Sequence, residues 1–444
     1  MLNPIFGSRP LRFPGNRIAK HYFPVTSKKA CPVEPAEYRA PRSWYVVGLD
    51  EILVDLEVKG SVELAQKIGL VPGESIQLSE AEFQTVLSRL DRAGLPRAYA
   101  AGGTVANTIN NFTHLSGEPA VLLGAMSRTI TVGDPGFAYV AQTAKAVDLS
   151  YVVPMDGSTG AALTYITPDD RCFGVAPGVA GDYPADAVPE SVVAKAAVLV
   201  TSLYCLANPN RPIYHAALKA MEIAKNAGVP VAFGLGTANL VRAKRDLVRD
   251  VMQRYVTVAA MNAHESEALT GEPDVLLSAQ MLLDWVDAVV ITEGPRGLTM
   301  GGYTDDSVKR ETRDEVHSKS IPEYNRYEFS RLLRRNDCEQ PLKIFSHAHP
   351  YMGGPDRLRS TSGAGDAALA ALLHDIAANR YHRTTVPDSA KHQAPVRFLT
   401  YSSLSRNTQY CNRVAYEVLR LNAPRLEGPV GHDEDENPRI TPLP

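Results

Sequence analysis

Six short apolar runs, at 44–48, 120–126, 196–202, 230–235, 256–262 and 288–294, constrain this chain more than any other feature. Each is rich in Val, Ile or Leu and closed by Gly, Ser or Asn, the pattern of strands buried on both faces of a parallel sheet. Between the later runs the spacing turns helical. Ala217, Met221 and Ala224 form a stripe within 213–225, and Leu269, Leu282 and Trp285 recur within 265–286. Strand alternating with helix predicts a doubly wound, mostly parallel α/β core, in which ligands sit beyond the carboxyl ends of the strands.

The flanks and two internal segments break this rhythm. Residues 1–43 are rich in proline and basic residues and read as a solvated arm; a phosphate- or partner-binding arm has the same composition. From 423 to 444 the chain is polar, acidic and proline-rich, which predicts a disordered tail. Residues 158–180 alternate residue types around Pro168-Asp169-Asp170, the pattern of a β-hairpin outside the main sheet that could serve as a lid. Residues 301–358 read as a charged insertion, helical in part. A formal charge of −3 gives no whole-chain basis for binding nucleic acid or an anionic membrane. No apolar run reaches the roughly 18 residues of a membrane span, and the N-terminus has no signal-like apolar region. Cys31, Cys172, Cys205, Cys338 and Cys411 are widely spaced and form no C-x-x-C, which favours reduced thiols in a cytoplasm.

Five motifs carry chemistry. At 360–366 the chain reads S-T-S-G-A-G-D and runs into an alanine- and leucine-rich helix. The unpaired N–H groups of such a helix's first turn, with its dipole, form an anion site. Gly363 and Gly365 let backbone approach a phosphate closely, and Asp366 is placed to take a proton from a hydroxyl attacking it. A capped helix with packing glycines uses the same residues. Gly102, Gly103, Thr104 and Asn107 open a second helix, where backbone can approach a small polar ligand and Asn107 offers both donor and acceptor; a plain glycine turn reads alike. Asp50 and Asp55 follow the first strand, where carboxylates suit sugar hydroxyls or simply a loop. Asn262 and Glu265, at a strand-to-helix junction, suit either a hydrated Mg²⁺ or an N-cap with its N3 carboxylate. Thr292, Gly294 and Gly297 form a glycine turn closing another core strand.

In this order, G-G-x-x-x-N, N-x-x-E, T-x-G-x-x-G and G-A-G-D, the motifs resemble the ribokinase-like (PfkB) carbohydrate kinase family, over roughly residues 44–422. The hairpin at 158–180 falls where that family has its β-lid. A narrower resemblance is to the bacterial inosine–guanosine kinases. It rests on FPG-x-R…KHYFPV at 13–25, GLDEILVD, MNAHESEALTGE, YNRYEFSR, PYMGGP at 350–355 and KHQAP…LTYSSLSR at 391–406.

The resemblance implies ATP-dependent phosphorylation of the 5′-hydroxyl of a purine nucleoside, inosine or guanosine, in purine salvage, with Mg²⁺. It makes Asp366 the general base and the amides of Gly363, Ala364 and Gly365 the anion hole. It assigns Asp50, Asp55, Gly102, Gly103, Thr104 and Asn107 to the nucleoside. Asn262 and Glu265 would position Mg²⁺ through water, and Thr292, Gly294, Gly297 and Asn412 would border the nucleotide. Ser360 stands where the family often has Asp beside a monovalent-cation loop, so potassium activation stays open, as does a homodimer. The alternatives are a kinase of adenosine or a free sugar, and a nucleotide-binding regulator without catalysis. A dinucleotide oxidoreductase is disfavoured because no G-x-G-x-x-G follows the first strand.

Overall fold

All six apolar runs become neighbouring strands of one sheet. The computed structural model describes residues 12–13, 17–18, 44–70, 75–95, 98–168, 171–309, 330–350, 358–385, 387–388 and 396–426. After a short antiparallel pair, Arg12–Phe13 with Arg17–Ile18, most of the basic arm lies outside the described residues. In chain order the strands are β1 (Val46–Leu49), β2 (Leu53–Lys59), β3 (Ser75–Gln77), β4 (Ala98–Ala101), β5 (Ala120–Ser127), β6 (Val147–Asp148), β7 (Val152–Met155) and β8 (Gly160–Ile166). They continue as β9 (Arg171–Ala176), β10 (Val198–Ser202), β11 (Val231–Gly234), β12 (Val258–Asn262), β13 (Ala288–Thr292), β14 (Leu298–Asp305) and β15 (Pro341–Ala348).

The main sheet runs β15-β14-β13-β12-β11-β10-β1-β5-β6, with β7 also on β5. Pairs from β13 through β1 to β5, β6 and β7 are parallel; β14 and β15 close one edge antiparallel. Successive side chains point to opposite faces. Val46, Val198, Val200, Val258 and Val290 enter one core with the helices α1 (Thr104–Ser116), α3 (Ala364–Thr385) and α4 (Leu404–Leu419). Val47, Leu49, Leu199, Phe233 and Ile291 enter a second core on the other face, under α2 (Ala263–Thr270) and the helix Pro212–Asn226. Both faces are covered, so the strands read as continuous apolar runs. Each such side chain contributes about 1.5–3 kcal/mol on burial.

The predicted hairpin forms from β8 and β9, whose register pairs Ile166 with Arg171. It belongs to a second, five-stranded sheet, β3-β9-β8-β2-β4. Leu56, Val58, Leu163 and Tyr165 bury one face of that sheet under the helices Val62–Lys67 and Glu80–Arg92. The segment Asp50–Ile52 joins β1 to β2, so the two sheets meet directly beyond the end of a central strand.

Three expectations change. The stretch 265–286 is two helices, because Gly271 takes a left-handed φ of 80° and Asp274 starts a new helix, Val275–Leu282, by accepting from the amides of Leu276 and Leu277. The segment 301–358 is no simple insertion. Its beginning completes β14, every residue of which is buried, and 341–348 is β15. Between them Leu333 bridges to Tyr303 and Phe398, and 310–329, where the helical part was expected, lies outside the described residues. The tail does not begin at 423. Arg425 and Leu426 are buried, because the backbone of 424–426 is held by Asn111, whose Nδ2 donates to the Pro424 carbonyl (3.2 Å) and whose Oδ1 accepts from the Leu426 amide (2.7 Å). Residues 427–444 lie outside the described residues.

Candidate active site

Gly363 has φ +80° and its carbonyl accepts from the Ala367 amide at 2.8 Å, so α3 starts at Ala364 with its first amides free of helical partners. Ser360 Oγ accepts from the Ser362 amide at 3.1 Å and shapes the turn before it. A Cβ on Gly363 would lie 2.5 Å from Pro424, whereas one on Gly365 would meet nothing within 4 Å. Packing therefore explains the first glycine of G-A-G-D but not the second. The second leaves open space beside free amides.

The Gly102-Gly103 turn starts α1. Gly103 has φ 88° and supplies no side-chain cap. Asp50 caps the helix instead: its Oδ2 accepts from the amides of Val105 (2.9 Å) and Ala106 (3.0 Å). A Cβ on Gly103 would lie 2.6 Å from that oxygen, and one on Gly102 would lie 2.6 Å from the Asp55 carboxylate. Both glycines are thus required by close carboxylates. Thr104 is the first residue of α1, and its carbonyl accepts from the Thr108 hydroxyl. One oxygen of Asp50 is committed to the helix head, a structural role that neither the sugar-ligand nor the loop reading included. Burial pushes the Asp50 carboxyl up to about 8, with Glu51 and Asp366 adding to the rise.

The two glycine motifs meet. Asn107 Nδ2 donates to Asp366 Oδ2 at 3.3 Å. Asn107 was expected to face sugar hydroxyls; here its amide is engaged by protein on both sides. Burial pushes Asp366 up to about 7 against the Asn107 hydrogen bond, and Asp55 and Glu265 push the same way. Burial also raises Asp55 to about 6, while Arg425 draws it down. Glu265, 5% exposed, is raised to about 7 by burial.

Asn262 and Glu265 form a reciprocal capping box at the head of α2. Asn262 Oδ1 accepts from the Glu265 amide (2.9 Å), and Glu265 accepts from the Asn262 amide (3.0 Å) and from its Nδ2 (2.6 Å). Of the two readings of this motif, the cap is the one realised. Among the described residues no group of three or more His, Cys, Asp or Glu side chains is arranged to hold a metal.

Thr292 pairs with Asn262 across β13 and β12, so the two motifs end side by side. Gly294 and Gly297 have φ of 56° and 105°, and a Cβ on Gly297 would strike the Ala348 carbonyl. Asn412, on α4, donates to the His349 carbonyl at 2.8 Å, which ties α4 to the end of β15 rather than leaving its amide free. The PYMGGP turn lies mostly outside the described residues. LTYSSLSR is structural: Asp375 on α3 accepts from the amides of Tyr401 and Ser402 at 2.8–3.2 Å and fixes the turn into α4.

Several residues at the site escaped the sequence reading. Arg425 donates from Nε to Asn107 Oδ1 (2.9 Å), from Nη2 to the Gly102 carbonyl (3.0 Å) and from Nη1 to Thr143 Oγ1 (3.2 Å), and lies over the Tyr139 ring. Tyr204 packs against Gly236, and its hydroxyl is held protonated by burial and by Glu265, Asp366, Asp50 and Glu51. Thr299 donates to Glu293 (2.6 Å) and contacts His347 Nδ1 (2.9 Å) at the T-x-G-x-x-G turn. No local motif marks these residues; each reaches the site through a long-range contact.

The chain has relatives of known name. Residues 97–314 match the family described as pfkB family carbohydrate kinase. The guanosine-inosine kinase of Escherichia coli (strain K12) is 40% identical over 427 residues, spanning 96% of this chain and 98% of the relative. Among solved structures, the adenosine kinase of Sinorhizobium meliloti superposes with a TM-score of 0.62 at 18% identity, covering 87% of this chain and 97% of that one. A probable sugar kinase from Rhizobium etli CFN 42 has a TM-score of 0.62 at 17% identity, covering 87% and 96%. At those identities the structural likeness speaks for the fold alone.

Proposed function

The chain belongs to the pfkB carbohydrate kinase family and is a phosphotransferase with an alcohol acceptor; from that premise we propose that it transfers the terminal phosphoryl group of ATP to the 5′-hydroxyl of inosine and guanosine. The observation that carries the mechanism is the hydrogen bond between Asn107 and Asp366, 259 residues apart, which brings the sugar-side glycine turn to the phosphate-side one. The choice of acceptor is supported by the 40% identity to a guanosine-inosine kinase across nearly the whole chain.

In this reading Asp55, half-buried beside Gly102, accepts hydrogen bonds from ribose hydroxyls. Asp366 takes the proton from the attacking hydroxyl. The first amides of α3, at Ala364 and Gly365 after the Gly363 turn, stabilise the moving phosphoryl group from the positive end of the helix dipole. Thr292, Gly294 and Gly297 border the nucleotide. An alcohol is a poor nucleophile at neutral pH, so positioning and charge stabilisation carry the rate. Phe173 of β9 keeps its ring exposed on the small sheet, which suits a lid that would keep water from the phosphate.

Burial raises both Glu265 and Asp366 towards neutral values, and the charge of Glu265 adds to the rise of Asp366. Glu265, whose carboxylate is already in a capping box, would reach a divalent cation only through water, in keeping with the absence of a three-ligand cluster among the described residues. Bound with ATP, Mg²⁺ would neutralise phosphate charge. The buried or half-buried free thiols of Cys205, Cys338 and Cys411 support work in a reducing cytoplasm, and no described helix is long and apolar enough to cross a membrane.

The test is competition among inosine, guanosine, adenosine and ribose under ATP and Mg²⁺. Phosphate is expected on the 5′-position of inosine and guanosine. Label appearing solely on adenosine or solely on ribose would replace this acceptor assignment.

A further inference from the structure

The segment 424–426 returns from the end of α4 to lie between the two glycine motifs. Pro424 packs on Gly363 and Leu426 is tied to Asn111 of α1. Between them Arg425, 6% exposed, enters the site with three hydrogen bonds and a stacked ring. Guanidinium has only donors. The atom of Asn107 facing it is therefore the carbonyl oxygen, which obliges the NH₂ of that amide to face Asp366. Without Arg425 the amide could rotate by half a turn and present its oxygen to a carboxylate, a repulsive contact.

We propose that Arg425 is a positioning residue for phosphoryl transfer: it locks the Asn107 amide so that Asn107 donates to Asp366, and its charge offsets the buried carboxylates around that base. The proposal rests on the reading of Asp366 as the base. The groups that act on Asp366 or feel its charge are Asn107, Asp50, Asp55, Glu265, Tyr204 and Arg425, and those beside Arg425 are Asp55, Asp366, Tyr139 and His114. Arg425 is the cation that draws both Asp55 and Asp366 down against their burial.

The experiment is steady-state kinetics with inosine across pH for the full-length protein and for Arg425→Gln, Asn107→Ala and their double variant, with thermal melting alongside. Arg425→Gln is expected to lower kcat by about 10–10²-fold, the scale of a misplaced catalytic group, with KM for inosine changing far less. Its acid limb should move to higher pH by about one unit, because a cation near Asp366 has gone. The double variant should turn over no more slowly than Asn107→Ala. Should Arg425→Gln fail to fold, Arg425→Lys keeps the charge without the fork: its acid limb should stay in place while kcat still falls. A wild-type rate and limb in Arg425→Gln, an additive double variant, or a fully active Arg425→Lys overturns the proposal while Asp366→Asn remains inactive. An active Asp366→Asn would instead overturn the assignment of the base, and this proposal with it.

Discussion

Asp366 is held by a single side-chain hydrogen bond in surroundings that favour its proton, and its carboxyl titrates near 7. Two outcomes follow for that residue. Asp366→Asn is expected to lower kcat by about 10²–10⁴, or roughly 3–5 kcal/mol, with little change in nucleoside binding, as measured by kcat and an independent binding isotherm. In the unaltered enzyme kcat should rise with pH through about 7 and level off above it, since the base acts as carboxylate and its folded value lies above the usual 3.8. A pH profile flat from 5 to 8 would contradict the assignment. Asp55 touches no reacting oxygen in this reading, so Asp55→Ala should raise KM for the nucleoside more than it lowers kcat. The residue types of this cluster were legible before the fold because G-A-G-D and G-G-x-x-x-N combine flexible backbone with one polar group. The partners of Asn107 were not legible, since an amide's spacing in the sequence does not say which way it points.

Helix starts are the elements on which this site is built, and they differ in how they are finished. The start of α2 is closed by its own capping box and α1 by Asp50 from the β1–β2 connection, whereas α3 follows Gly363, which has no side chain to cap it, and no side chain among the described residues bonds its first amides. The unfinished start is the one suited to a phosphate. Gly365→Ala tests this. Its added methyl meets nothing within 4 Å and alanine favours a helix, so melting should be unchanged or slightly higher. Steady-state kinetics should still show slower turnover or weaker ATP use, because the methyl enters the space left for the phosphoryl group. Equal kinetics would return that glycine to a packing role. The capping box at Asn262 shows why the metal reading of N-x-x-E was ambiguous: a cap and a metal shell need the same residue types at the same spacing, and what lies opposite decides between them. The helical spacing of 265–286 hides a break, because the apolar period continues across the turn that Gly271 imposes.

Across the whole molecule, stability and function oppose one another at the crevice between the sheets. Asp50 has a folded value of about 8 against an ordinary 3.8. The folded chain therefore keeps a proton that the unfolded chain releases, and stability attributable to this group falls as pH rises through that window. Asp50→Asn keeps an acceptor for the amides of Val105 and Ala106 and removes the titration. Its melting temperature relative to the parent should thus climb by about 2 °C or more between pH 4 and pH 8. A constant difference across that range would show that Asp50 does not titrate there. The doubly wound sheet, its strand positions and the sequential order of its motifs could be read directly from the chain, because side-chain alternation and glycine-bearing turns are set by neighbours a few residues apart. The cap on α1, the orientation of Asn107 and the burial of Arg425 could not. Asp50 meets its amides across 55 residues and Arg425 meets Asn107 across 318, and contacts at such separations exist only after the sheet has brought its strand ends together.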